Sequence, residues 1–150
     1  KNKINEFTEV LYDYGLNFDE FNVIERKYKN ADISFSPNVI AGSGFSYFPV
    51  PNLEVSLLTK YVGRQYLDNT STDSRSIDPY LINDIRMRYT LKPAFMKAID
   101  FSFLINNVLG EVYESNGWTY GYLGGGAEYR EKFYYPQAGI NFMAMVAFKF

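Results

Sequence analysis

The sequence predicts an all-β fold of antiparallel strands, and three observations carry that prediction. Stretches of apolar/polar alternation recur along the chain, as they do in strands whose two faces meet different media. Aromatic content reaches 19%, with 14 Tyr and 13 Phe against one Trp, and Tyr and Phe favour strands and apolar–wet boundaries. Short turns alternate with long connections, which in an antiparallel array gathers the long connections at one end and the short turns at the other. Together these predict an antiparallel transmembrane β-barrel. An ordinary antiparallel sandwich with one wet face shares the alternation and stands as the alternative.

The elements follow in chain order. Residues Ile4 to Val10 read as the end of a strand cut at its beginning. A long connection is expected from about Leu11 to Ala31. The next strand is expected over roughly Asp32 to Phe48, with Ser34, Ser36, Asn38, Gly42, Gly44 and Ser46 on its polar face; Pro37 marks a bulge or the strand start. Pro49-Val50-Pro51-Asn52 is a short turn. Leu53 to Leu57 alternates again and continues to Lys60, Tyr61 and Arg64. After a long connection over Asp68 to Asp78, Ile85, Met87, Tyr89 and Leu91 oppose Arg86, Arg88 and Thr90. A short turn over Lys92 to Lys97 leads to Ile99, Phe101, Phe103 and Ile105, opposed by Asp100, Ser102, Leu104 and Asn106. A third long connection covers Gly110 to Gly139. In the last strand Ile140, Phe142, Ala144, Val146, Phe148 and Phe150 share one face, while Asn141, Met143, Met145, Ala147 and Lys149 share the other.

Composition removes several function classes. The chain has no Cys and no His, so it offers no disulfide, no thiolate metal site and no imidazole base or ligand. Catalysis, a cofactor and a metal are therefore not expected. Net charge is -2 with mixed signs, which gives no basic footprint for nucleic acid. Mean hydropathy is slightly negative, and no apolar run reaches the length of a membrane helix. The chain begins at Lys1 rather than Met, and an internal cut is expected there.

The C-terminal third resembles the end of TonB-dependent outer-membrane receptors. Asn106-Asn107-Val108-Leu109-Gly110-Glu111-Val112-Tyr113 is similar to the family's Asn-Leu-Phe-Asn/Asp-x-x-Tyr, with Leu109 in place of Phe and Gly110 in place of Asn or Asp. Tyr135-Pro136-Gln137-Ala138-Gly139-Ile140-Asn141-Phe142 is similar to its Tyr-Pro-x-x-Gly-Arg-x-Phe, with Ile140 in place of Arg. Phe142, Val146, Phe148 and Phe150 resemble the signal by which such barrels are recognised for insertion. Lys60 to Thr70 resembles a strand-to-loop passage of these receptors, particularly those of Bacteroidetes.

The resemblance implies a C-terminal fragment of about six strands from a 22-stranded plugged barrel, with the plug domain N-terminal to Lys1. It implies a Gram-negative outer-membrane location and import of a scarce nutrient (a ferric siderophore first, or cobalamin or a glycan) with TonB-relayed energy. The implied partners are outer-membrane lipid, the rest of the barrel and plug, TonB through the missing N-terminal part, the barrel-assembly machinery through the last strand, and a small-molecule nutrient.

Parity puts Glu54, Lys60, Arg64, Asp84, Arg86 and Arg88 on the lumen side. They form either an electropositive path for an anionic ligand or a set that pairs internally and with the plug. Tyr113, Trp118, Tyr120, Tyr122, Tyr129 and Tyr134, with Phe133 and Tyr135, make the connection from Glu111 to Gln137 the candidate ligand-binding loop. Its glycines would let it close over a ligand; outer girdle and loop packing are the competing roles. Asp68, Asn69, Asp73 and Asp78 lack the order of a calcium loop and read as solvated. Gly42-Ser43-Gly44 lacks a dinucleotide-binding context. A passive pore or adhesin barrel, and a soluble β-barrel that binds an apolar ligand, are the rival functions.

Overall fold

The computed structural model describes residues 2–18 and 22–150. The described residues are all β apart from one 3-10 turn, Asp73–Arg75. The strands are β1 (Lys3–Asp13), β2 (Asn22–Asp32), β3 (Ile40–Val50), β4 (Leu53–Val62), β5 (Gln65–Tyr66), β6 (Ser76–Ile77), β7 (Tyr80–Leu91), β8 (Ala98–Asn106), β9 (Glu114–Gly124), β10 (Ala127–Pro136) and β11 (Asn141–Lys149). They sort into two compact units. The first contains residues 1–38, 63–79 and 114–136; the second contains 39–62, 80–113 and 137–150.

The second unit is one five-stranded sheet in the order β11-β8-β7-β4-β3, antiparallel throughout. Its short turns join β3 to β4 and β7 to β8 at one end. The chain leaves before β3, after β4, before β7, after β8 and before β11 at the other end. Asn52 takes the left-handed backbone (φ 67°) that the turn after Pro51 requires. The expected alternation between two faces is present, and the register turns it into rows. On one face Phe45, Leu57, Ile85, Ile105 and Phe142 lie side by side. Next come Tyr47, Val55, Met87, Phe103 and Ala144, then Leu53, Tyr89, Phe101 and Val146, then Leu91, Ile99 and Phe148. The other face carries Glu54, Lys60, Asp84, Arg86, Arg88, Asp100 and Lys149.

Both outer strands are unpaired along one edge, and no closed barrel forms among the described residues. Phe45 and Phe142 are 69% and 66% exposed, so the apolar face is bare at its edges. The sheet has five strands where about six were expected. Asp32 to Val39 does not continue β3: the Asp32 N–H is taken by the Ser71 hydroxyl, the Ser34 N–H by Asn69 Oδ1, and Phe35 has a positive φ of 53°. With Pro37 behind these, the ladder begins only at Ile40.

The first unit collects most of the three long connections, and among the described residues those expected from Leu11 to Ala31 and from Gly110 to Gly139 are mostly strand rather than coil. β1 and β2 form a long antiparallel hairpin from Lys3↔Asp32 to Asp13↔Asn22. Ile4 to Val10 is therefore one arm of a hairpin rather than the end of a strand in the larger sheet, and the expected connection from Leu11 to Ala31 contains β2. β9 and β10 form a second hairpin. Gly125 and Gly126, with φ of 58° and 78°, supply its two-residue turn, and two successive positive φ values are what a strand-matching tight turn demands. The expected ligand-closing loop is thus a hairpin, and the cross-strand ladder takes the backbone donors that a free loop would leave open.

Candidate functional site

One face of the β9–β10 hairpin is aromatic because the alternation places Trp118, Tyr120 and Tyr122 on the same side. Across the ladder they meet Phe133, Glu131 and Tyr129. Trp118 and Phe133 stack at 4.5 Å between centroids and 13° between planes, and Tyr122 and Tyr129 at 5.3 Å and 17°. Tyr14 meets Tyr122 edge-on at 5.9 Å. Trp118, Tyr120 and Tyr129 remain nearly half exposed. Tyr14, Phe18, Tyr120 and Tyr122 border an open hollow of about 370 Å³. Four of the six expected ligand-binding aromatics, Trp118, Tyr120, Tyr122 and Tyr129, are therefore assembled on one surface.

Tyr134 and Tyr113 are not part of it. Tyr134 points to the opposite face of the hairpin, where its hydroxyl donates to the Ser76 carbonyl at 3.2 Å. Tyr113 belongs to the second unit and packs on Tyr80 at 4.4 Å. The Asn107 of the quoted motif explains the local chain path there. It is 3% exposed, its N–H donates to Asp84 Oδ1, its amide donates to the Glu111 and Ala138 carbonyls, and its oxygen accepts the Glu111 N–H.

Behind the aromatic hairpin lies an ionic network that the sequence analysis did not anticipate. Arg75 donates to Glu9 at 2.8 Å and to Asp68 at 3.0 Å. Arg130 donates to the same Glu9 oxygen at 2.8 Å and to Glu128 at 3.0 Å. Arg26 donates to Glu128 at 2.7 Å, and the Tyr28 hydroxyl to Glu9 at 2.8 Å. Arg75 and Glu9 are both buried. Burial opposes the charge on Arg75, but Asp68 and Glu9 outweigh it and hold its pKa above the ordinary value. The Arg26 and Arg130 hydrogen bonds hold the Glu128 carboxyl below its ordinary value. Burial first, and then the bond to Glu9, raise the Tyr28 phenol. Gly121 makes the network possible: a Cβ there would run into the Arg130 guanidinium.

The expected lumen charges divide. Glu54, Lys60, Asp84, Arg86 and Arg88 share one face of the five-stranded sheet. Glu54 accepts from Ser46 and Ser56 and lies 3.9 Å from Arg86 and 3.7 Å from Arg88, so one carboxylate serves two guanidinium groups. Arg64 falls past the end of β4 and binds Asp73 at 3.0 Å, so it leaves that face. Of the acidic connection, Asp68 and Asp73 are taken up by Arg75 and Arg64. Of the terminal residues, Phe142, Val146 and Phe148 lie on the apolar face, and Phe150 follows β11 at 82% exposure. Lys149 binds Asp100 on the opposite face at 2.6 Å.

No family model and no curated protein matches the chain.

Proposed function

We propose that the chain is part of an outer-membrane receptor and transporter of the TonB-dependent kind, in which the second unit is a sector of the barrel wall. The observation that carries this reading is the apolar face of the sheet. Four successive rows hold only aliphatic and aromatic side chains, and no layer of the second unit covers them. In water such a face is an exposed patch that monomeric soluble proteins avoid; in a bilayer it is the surface that strands present to lipid. The unpaired edges of β3 and β11 call for further strands, because an open sheet edge in hydrocarbon leaves backbone groups unsatisfied.

In this reading the charged face borders the wet interior, where Arg86 and Arg88, sharing Glu54, give a positive surface to an anionic solute. The aromatic face of β9–β10 receives the nutrient on the extracellular side. TonB and the plug act through chain outside these residues, and the assembly machinery reads Phe150 and the apolar positions before it.

The test is membrane partition. Full-length protein fractionates with outer membranes and stays there through carbonate extraction; recovery of folded protein in buffer without detergent overturns the reading. A passive pore or adhesin is the second reading, because the bare face supports it equally; it is separated by whether uptake of a limiting nutrient stops when the proton gradient is collapsed. A soluble apolar-ligand binder would tolerate charge at Leu57 and Phe142.

A further inference from the structure

The apolar face of the sheet is interrupted once. Between the row of Phe45, Leu57, Ile85, Ile105 and Phe142 and the next row toward the long connections, Ala41, Tyr61 and Leu81, the register places Ser43, Thr59 and Asn83. Thr59 donates to Asn83 Oδ1 at 2.7 Å. That bond satisfies the threonine and uses the amide oxygen of Asn83. The two N–H donors of the Asn83 amide and the Ser43 hydroxyl make no further hydrogen bond among the described residues. All three side chains are exposed or half-buried. Amide donors facing hydrocarbon without a partner are costly, and nothing in an acyl chain accepts a hydrogen bond.

Spacing agrees with chemistry. Two residues along a strand advance about 6.7 Å, so the four spacings from the Ser43–Thr59–Asn83 row to the row of Leu91, Ile99 and Phe148 cover roughly 27 Å of strand, or about 20 Å along the membrane normal at a tilt of about 40°. Phe150 keeps the same parity one spacing beyond Phe148, which brings the height to about 25 Å, the apolar band of an outer-membrane barrel. The hydrocarbon therefore runs out at the height of the polar row.

We infer that the Ser43–Thr59–Asn83 row is a lipid-headgroup contact that fixes the height of this wall in the membrane. The hydrocarbon boundary on the long-connection side lies at Thr59, and Asn83 and Ser43 bond the ester, phosphate or sugar oxygens of the outer-leaflet headgroups. The acyl band then spans the four rows from Leu57 to Ile99. Tyr61 and Leu81, one row further, stand among headgroups rather than acyl chains. This inference rests on the membrane reading above and adds a boundary to it.

The chain itself brings no cysteine to compete with the label, and any cysteine elsewhere in full-length protein is first replaced by serine. Single cysteines at Val55, Leu57, Thr59 and Tyr61 on β4, and at Ile85, Asn83 and Leu81 on β7, are spin-labelled in full-length protein reconstituted in phosphatidylcholine vesicles. Collision with dissolved oxygen, which concentrates in hydrocarbon, is compared with collision with a water-soluble nickel chelate. Labels at 55, 57 and 85 are expected to favour oxygen, those at 59 and 83 to lose that preference, and those at 61 and 81 to favour the chelate. Oxygen preference persisting through 59 and 61, and through 83 and 81, overturns the boundary while leaving the membrane reading intact. Chelate preference at all seven sites overturns the membrane reading and the inference with it.

Discussion

Replacing Arg75 with Met tests the ionic network most directly. The substitution keeps the length and apolar stem of the side chain and removes the guanidinium. Arg75 is 7% exposed and binds two carboxylates. Breaking a buried pair by deleting one partner costs about 3–5 kcal/mol when the other is left uncompensated. Here the penalty is smaller, because Glu9 keeps Arg130 and Tyr28, and Asp68 keeps the Thr70 N–H and hydroxyl. About 2–3 kcal/mol is the expected loss. Trp118, the single tryptophan, lies in the same unit and reports on it alone. At a urea slope of about 1–2 kcal/mol/M, the loss lowers the fluorescence midpoint by about 1–3 M. Adding Glu9→Gln to the variant should cost less than in the wild type by the worth of the Arg75–Glu9 pair alone, since Arg130 and Tyr28 still lose a charged partner. A midpoint that stays put in Arg75→Met, or strictly additive costs in the double variant, would refute the claim that these contacts hold the first unit together.

Three further outcomes follow from the same geometry. The Glu128 carboxyl is depressed below its ordinary 4.5 by Arg26 and Arg130, so its contribution is present above that pH and disappears as pH falls through the lower folded value; a pH series of Trp118 melts should show an acid limb that Glu128→Gln flattens. Gly117→Ala places a Cβ 2.5 Å from the Phe133 carbonyl oxygen, which forces the β9 and β10 strands apart and should cost about 1–3 kcal/mol, read as a lower melting temperature. Val55→Arg, in the second apolar row and nearer mid-bilayer, should reduce outer-membrane yield and stability by up to about 2–4 kcal/mol, whereas Leu58→Arg, opposite Asp84 on the charged face, should not carry that lipid penalty.

Alternation alone made the five strands of this sheet legible one by one. The contrast of Ile85, Met87 and Tyr89 with Arg86 and Arg88 is a local property, because successive side chains of any strand point to opposite faces. The turns at Pro51-Asn52 and Pro93, and the two unlike faces of the last strand, belong to the same short-range code. Four of the aromatic candidates, Trp118, Tyr120, Tyr122 and Tyr129, were legible from composition alone, whereas their place on one face of a hairpin was not, because the stretch reads as a loop.

What local pattern could not decide is which strands pair, and which connections are themselves strands. Asp32 to Val39 alternates well enough to join β3, yet Ser71 and Asn69, more than thirty residues away, accept the Asp32 and Ser34 N–H groups. Glu9 meets Arg75 across 66 residues and Arg130 across 121, and no spacing rule in the sequence links such distant charges. Side-chain parity is written residue by residue, whereas pairing is decided by which distant segments can satisfy one another's buried charges and open ladders once the chain has closed its loops.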